Sequence, residues 1–122
     1  MLFRSELVDL KALSTQSRSR GICLVVDNCF CSPVLQRPLE LGADLVIHSG
    51  TKFIDGQGRV LGGAVVGPAQ LLKDKILPIL RTAGPTLSAF NAWVLLKGLE
   101  TMKLRVEAQS HTALAQIGRA HV

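Results

Sequence analysis

The sequence predicts an α/β domain in which parallel neighbouring strands are flanked by helices. Three observations lead there. Two short apolar runs each end abruptly in polar residues, about 16 residues separate them, and helical periodicity stands on either side. At 122 residues the chain is long enough for one core.

The elements follow in order. Val8 to Leu13 has helical spacing, and Gly21 is placed to stop that helix. Ile22-Cys23-Leu24-Val25-Val26 is a continuous apolar run, the pattern of a strand buried on both faces, with Cys23 as a small core residue. It ends in Asp27-Asn28. Ser32-Pro33 opens a short helix covering Val34, Leu35 and Leu39, interrupted by Pro38 and closed by Gly42. Leu45-Val46-Ile47 is the second strand and runs out into His48-Ser49-Gly50-Thr51-Lys52. After the Asp55-Gly56-Gln57-Gly58 loop, Val60 to Val66 forms a third strand. Gly62 and Gly63 weaken it and mark a close backbone approach. Gly67-Pro68 starts a helix with Leu71, Leu72 and Ile76 inward, ended or kinked by Pro78. The last segment is a long helix. Leu87, Phe90, Val94, Leu99, Met102 and Val106 form its stripe, and Gly98 is a close-packing point or kink.

Composition narrows the function classes. Hydrophobic residues are 48% of the chain and charged ones 19%, a globular balance. No apolar run approaches the roughly 20 residues of a membrane span, and the N-terminus has no signal-like apolar stretch. The net charge of +5 comes from cations scattered between Arg4 and Arg119, without Tyr and with only five Phe and Trp residues. That is a solvated surface rather than a nucleic-acid site. Cys23, Cys29 and Cys31 lack the C-x-x-C spacing of a redox or zinc pair, and no histidine stands at ligand spacing to them. No metal is expected. Free thiols suit a reducing compartment, and the expected location is the cytoplasm.

Ligands of open α/β sheets sit beyond the carboxyl ends of the strands. Here one strand delivers Asp27 and the next delivers His48, Ser49, Thr51 and Lys52. Taken singly, these are ordinary turn, cap and surface residues. Taken together, a carboxylate, an amine and two hydroxyls converge on one sheet edge. Neither a P-loop nor a Rossmann glycine pattern is present.

The segment VVDNCFCSPVLQRPLELGADLVIHSGTKFIDGQGRVLGG resembles the cofactor segment of the Cys/Met-metabolism family of pyridoxal-phosphate enzymes. Asp27 after a buried strand, Ser49-Gly50-Thr51-Lys52 after the next and the Gly62-Gly63 pair carry the resemblance. RTAGPTLSAFNAWVLLKGLETMKLR extends it, so that it runs from about Glu6 to about Gln116. The DGQGR and RTAGPTLS stretches are most similar to the O-succinylhomoserine sulfhydrylase branch. Gly50 and Ala89 depart from the family pattern, which has Ala and Pro there.

The resemblance implies a fold-type-I large domain with a mainly parallel sheet. It implies pyridoxal 5'-phosphate as cofactor and a small amino-acid substrate, with no nucleic-acid or membrane partner. Lys52 is then the lysine that joins the cofactor aldehyde and later moves protons at substrate carbons. Asp27 holds the protonated ring nitrogen, and Ser49 and Thr51 donate to the phosphate. His48 is structural and Arg59 has no assigned role. The implied reaction is γ-replacement of O-succinylhomoserine by sulfide to give homocysteine. A cystathionine γ-synthase or lyase is the alternative within the family, and a non-catalytic fragment with weak cofactor binding the alternative outside it. The family's upstream phosphate loop, stacking aromatic ring, partner-supplied tyrosine and C-terminal domain have no counterpart in the sequence. Residues 6–116 are expected to be part of the large domain and the start of a helical connection. Met1–Ser5 and Ile117–Val122 are expected to be non-native, and the family expectation is a homotetramer.

Overall fold

The computed structural model describes residues 7–119 of the chain. The expected non-native end Met1–Ser5 lies outside them. Of 117–122, only 117–119 fall inside, as the end of a helix.

Helix α1, Leu10–Ser19, is capped by Asp9, whose carboxylate accepts the Ala12 N–H at 3.0 Å. Gly21, at φ 65°, ends the helical segment as expected. Strand β1, Val25–Asp27, follows, then the short helix α2, Ser32–Leu35, and a tight turn of helix, Pro38–Leu41. The break between them falls where Pro38 cannot continue a helix. Gly42 takes φ 98°, and its carbonyl accepts the Ser14 hydroxyl at 2.9 Å, docking α1 on this turn.

Strand β2, Leu45–Ser49, runs parallel to β1 with Asp27 opposite Ile47, so the connection is the crossover the spacing predicts. Asp44 ties the two strand starts together: its Oδ2 accepts the Leu24 N–H at 2.7 Å, and its own N–H donates to the Leu24 carbonyl at 2.9 Å. A wide helical turn, Gly50–Ile54, follows β2 directly. Strand β3, Gly63–Val66, then pairs antiparallel to β2.

The sheet therefore has the order β1-β2-β3, with one parallel and one antiparallel pairing. The chain between β2 and β3 turns back on itself instead of crossing a face, which fixes β3 as antiparallel. Strand β3 is also shorter than the expected 60–66, because Val60 leaves the strand to enter the core beneath α5. In β1 the expected two-sided burial fails. Ile22 and Cys23 lie before the strand and are exposed, and Val25 is half-exposed; among the described residues β1 pairs on one side only.

Helices α3, Ala69–Leu71, and α4, Leu77–Ala83, are joined by a wide turn, Leu72–Ile76. Widening just before Pro78 accommodates its missing N–H, so the helix passes through it. Gly84, at φ 70°, caps α4. Helix α5, Ala89–Arg119, buries Val94, Leu95, Gly98, Met102 and Val106, while Leu87, Phe90 and Leu99 of the expected stripe stay largely exposed. Only one side of α5 meets the sheet turn, so only one row of residues is covered. Val60, Val94 and Leu95 pack together with Ile54 at their edge, and this small core holds the turn after β2 against α5.

Candidate active site

Strand register sets the site. Asp27 is the last residue of β1 and lies opposite Ile47, so their side chains share one sheet face, and Ser49, two residues on, shares it too. His48 points to the other face, buried among the residues under the Pro38–Leu41 turn. Burial pushes its imidazole below the usual histidine range, against the pull of the Asn28 backbone and the Asp27 charge.

Asp27 is exposed, and its Oδ1 accepts the Cys29 N–H at 2.9 Å. The Cys29 thiol beside it, that backbone N–H and the charge of Lys52 together hold its carboxyl below the ordinary carboxylate range. Cys29 itself is buried, and burial followed by the neighbouring carboxylate pushes its thiol up. Its sulfur accepts the Ser49 N–H at 3.0 Å, linking the loop after β1 to the end of β2.

Asn28 makes the next loop rigid. It is almost wholly buried, its amide donates to the Ser32 and Gln36 carbonyls at 3.1 and 2.9 Å, and its side-chain oxygen accepts the Gln36 amide at 3.0 Å. That loop presents Phe30, whose exposed ring lies 4.1 Å from the Lys52 ammonium, centroid to Nζ.

Lys52 rides on the turn after β2 with ψ −113°, outside helical geometry, and its side chain is exposed. Thr51 accepts the Gly62 N–H at 3.3 Å through its hydroxyl oxygen, which leaves the hydroxyl hydrogen free to donate elsewhere. Gly50 donates to the Gly62 carbonyl at 2.7 Å. A methyl group at Gly50 would sit 2.9 Å from a Leu95 methyl and 3.0 Å from the Gly62 carbonyl, so the glycine at this position fits the tight packing under α5.

Asp27, Ser49, Thr51 and Lys52 thus gather at the carboxyl ends of β1 and β2. Asp27 and Lys52 feel each other's charge yet form no ion pair among the described residues. Beside them the sheet face carrying Ile47 and Val65 opens on an apolar groove of about 510 Å³ under Leu72, Ile76 and Leu80. An exposed carboxylate kept ionised, an unpaired amine and two hydroxyls fit a cationic ring nitrogen, an aldehyde and an anionic phosphate.

Residues 3–117 match the model of the Cys/Met metabolism PLP-dependent enzyme family. The chain belongs to this family. It is 59% identical over 111 residues to an O-succinylhomoserine sulfhydrylase of Pseudomonas aeruginosa, covering 91% of this chain and 27% of the relative. It is 42% identical to a cystathionine gamma-synthase of Haemophilus influenzae, with 90% and 30% covered. The solved structure of apo CalE6, a methionine gamma lyase from Micromonospora echinospora, superposes with a TM-score of 0.78 at 41% identity, covering 81% of this chain and 27% of that one. The chain spans about a quarter of the length of the curated relatives it matches. Against this PLP-dependent family, the residues that sequence reasoning missed are the supports. Cys29, Asn28 and Phe30 lay within the quoted motif without a legible role, and Arg105, described below, lay 53 positions from Lys52 with no local signal at all.

Proposed function

We propose that Asp27, Ser49, Thr51 and Lys52 hold pyridoxal 5'-phosphate in a PLP-dependent transferase of methionine biosynthesis. In a polypeptide of the relatives' full length, the reaction is γ-replacement of O-succinylhomoserine by sulfide, which breaks the Cγ–O bond, releases succinate and gives homocysteine. Residues 6–116 form part of the cofactor-binding large domain and the start of the connection to a C-terminal domain, in a cytoplasmic homotetramer. The observation that carries the reading is that an exposed carboxylate, held below its ordinary range, and an exposed lysine amine with no ion pair among the described residues stand at the ends of neighbouring parallel strands.

When bound, the cofactor supplies an electron-accepting ring that stabilises negative charge beside a substrate amino group. Asp27 would accept a charge-assisted hydrogen bond from the protonated ring nitrogen and so keep that proton on the ring. Ser49 and Thr51 donate to phosphate oxygens. Lys52 would hold the cofactor at its aldehyde carbon, and as a free amine would move protons at the adjacent substrate carbons.

The test is spectroscopic. Mixed with pyridoxal phosphate, the chain should develop the visible absorption of lysine-bound cofactor, and Lys52→Ala should abolish it. A wild-type chain without that band favours the non-catalytic reading instead. For the reaction, the chain's residues are exchanged for the matching segment of a full-length relative, which is then given O-succinylhomoserine with sulfide or with cysteine. Preference for cysteine moves the assignment to a cystathionine γ-synthase, the second reading that the Haemophilus relative supports.

A further inference from the structure

The turn that carries Lys52 ends without a helix to absorb its carbonyls. Its closing bonds run from the Asp55 N–H to the Gly50 carbonyl and from the Gly56 N–H to the Lys52 carbonyl, both at 2.8 Å. The carbonyls of Phe53 and Ile54 would otherwise be unpaired helix-end acceptors. One side chain on a distant helix takes both. Arg105 of α5 donates through Nη1 to the Phe53 carbonyl at 3.0 Å and through Nη2 to the Ile54 carbonyl at 3.1 Å. The same Nη2 reaches the Gly98 carbonyl at 2.8 Å, and Nε donates to the Thr101 hydroxyl at 3.1 Å.

Two glycines make the reach possible. Gly98 lies so close to the Ile54 carbonyl that a methyl group there would collide with backbone. Gly56, at φ 77°, lies against the Arg105 guanidinium, where a methyl group would also collide. The guanidinium is half-buried and fixed at both ends, on its own helix by Gly98 and Thr101 and on the turn by Phe53 and Ile54. A planar fork with five N–H donors can span this set of acceptors. A lysine ammonium cannot.

We infer that Arg105 is a positioning residue for Lys52: it locks the Gly50–Ile54 turn to α5 and so fixes where the Lys52 amine stands relative to Asp27. The inference rests on the reading of Lys52 as the cofactor lysine. Its effect is on the fraction of cofactor that reaches Lys52 rather than any other amine, because misplacement by about an ångström is enough to cost large factors in rate.

The experiment treats the full chain with pyridoxal phosphate, traps the product with borohydride and measures by peptide mass the label at Lys52 relative to Lys97 and Lys103. Arg105→Met should cut that ratio on the order of tenfold. Arg105→Lys should do the same, since charge without the fork does not hold the turn. Val106→Ala, which opens the buried position next to Arg105, serves as the variant of comparable instability and should keep the ratio within about twofold. An undiminished ratio in Arg105→Met, full recovery with lysine, or an equal loss in Val106→Ala each overturns the inference. A wild-type chain with no preference for Lys52 overturns the functional reading itself, and the inference falls with it.

Discussion

The Lys52 ammonium stands over the face of Phe30, 4.1 Å from its centroid, and so joins the loop after β1 to the turn after β2. The contact holds the amine on the side of the sheet edge where Asp27 ends its strand. Phe30 is 74% exposed, so its ring contributes little to the core and its main partner is this cation.

Phe30→Ala should therefore leave stability within about 0.5 kcal/mol and act on Lys52 instead. An exposed cation–π contact is worth about 0.5–1 kcal/mol. Releasing it should speed the reaction of Lys52 with an aldehyde probe by roughly two- to fivefold. Stopped-flow absorbance reads the rate, and an unchanged rate would remove Phe30 from the site.

Cys29 lowers the Asp27 carboxyl, its thiol being the leading cause and its backbone N–H the next. Cys29→Ala removes the thiol and keeps the N–H, so the Asp27 titration should move part of the way up toward its ordinary value. The sign is fixed: a lowered carboxyl stays charged further into acid, and the variant should protonate at a higher pH than wild type. Carbon-13 titration of the Asp27 carboxyl measures this directly. Coincident curves would show that the thiol is irrelevant.

The residues that gather at the sheet edge were legible because their signal is local. Asp27 and the Ser49 to Lys52 run each follow an apolar strand, and an abrupt change from apolar to polar marks a strand end whatever the rest of the chain does. What was not legible depends on contacts across the sequence. Arg105 reaches back 52 positions to Phe53, and nothing near Arg105 distinguishes it from a solvated helix cation. The antiparallel β3 was missed for a similar reason, because an apolar run carries no sign of its direction. Cys23 and Ile22 show the reverse error. Their run has the pattern of a buried strand, but only its end enters β1, and burial requires neighbours that β1 has on one side only among the described residues.

Gly98 was read as a close-packing point, and the contact is with backbone, which cannot move aside as a side chain can. Gly98→Ala should push α5 away from the Ile54 carbonyl and cost about 1–3 kcal/mol, as overpacking does. Gly50→Ala should cost less, because two of its three nearest atoms are Leu95 methyls that can rotate away and its one backbone neighbour, the Gly62 carbonyl, stands 3.0 Å off. Urea unfolding of both variants tests the contrast. A Gly98→Ala chain as stable as wild type would mean that α5 does not rest on this turn.

Asp55 provides an acid-sensitive brace for the same turn. Its carboxylate is almost wholly buried and accepts the Arg59 N–H at 2.6 Å and Nε at 2.8 Å, with a 2.7 Å ion pair to the same guanidinium. Burial alone would raise this carboxyl, but the Arg59 backbone and guanidinium bonds and charge outweigh it and hold the group below its ordinary range. A lowered folded value means that the unfolded chain takes up protons first as the pH drops. The stabilisation is complete above the unfolded value of about 3.9 and is lost as pH falls through the folded one. Asp55→Ala should therefore cost about 1–3 kcal/mol near neutrality and should flatten the acid limb of the stability curve. The wild type and the variant should converge in strong acid, where Asp55 is neutral in both states. Urea midpoints taken from neutral to acid pH measure this. A constant gap between the two proteins at every pH would assign the cost to lost packing, and the buried charge would then play no part in bracing Lys52's turn.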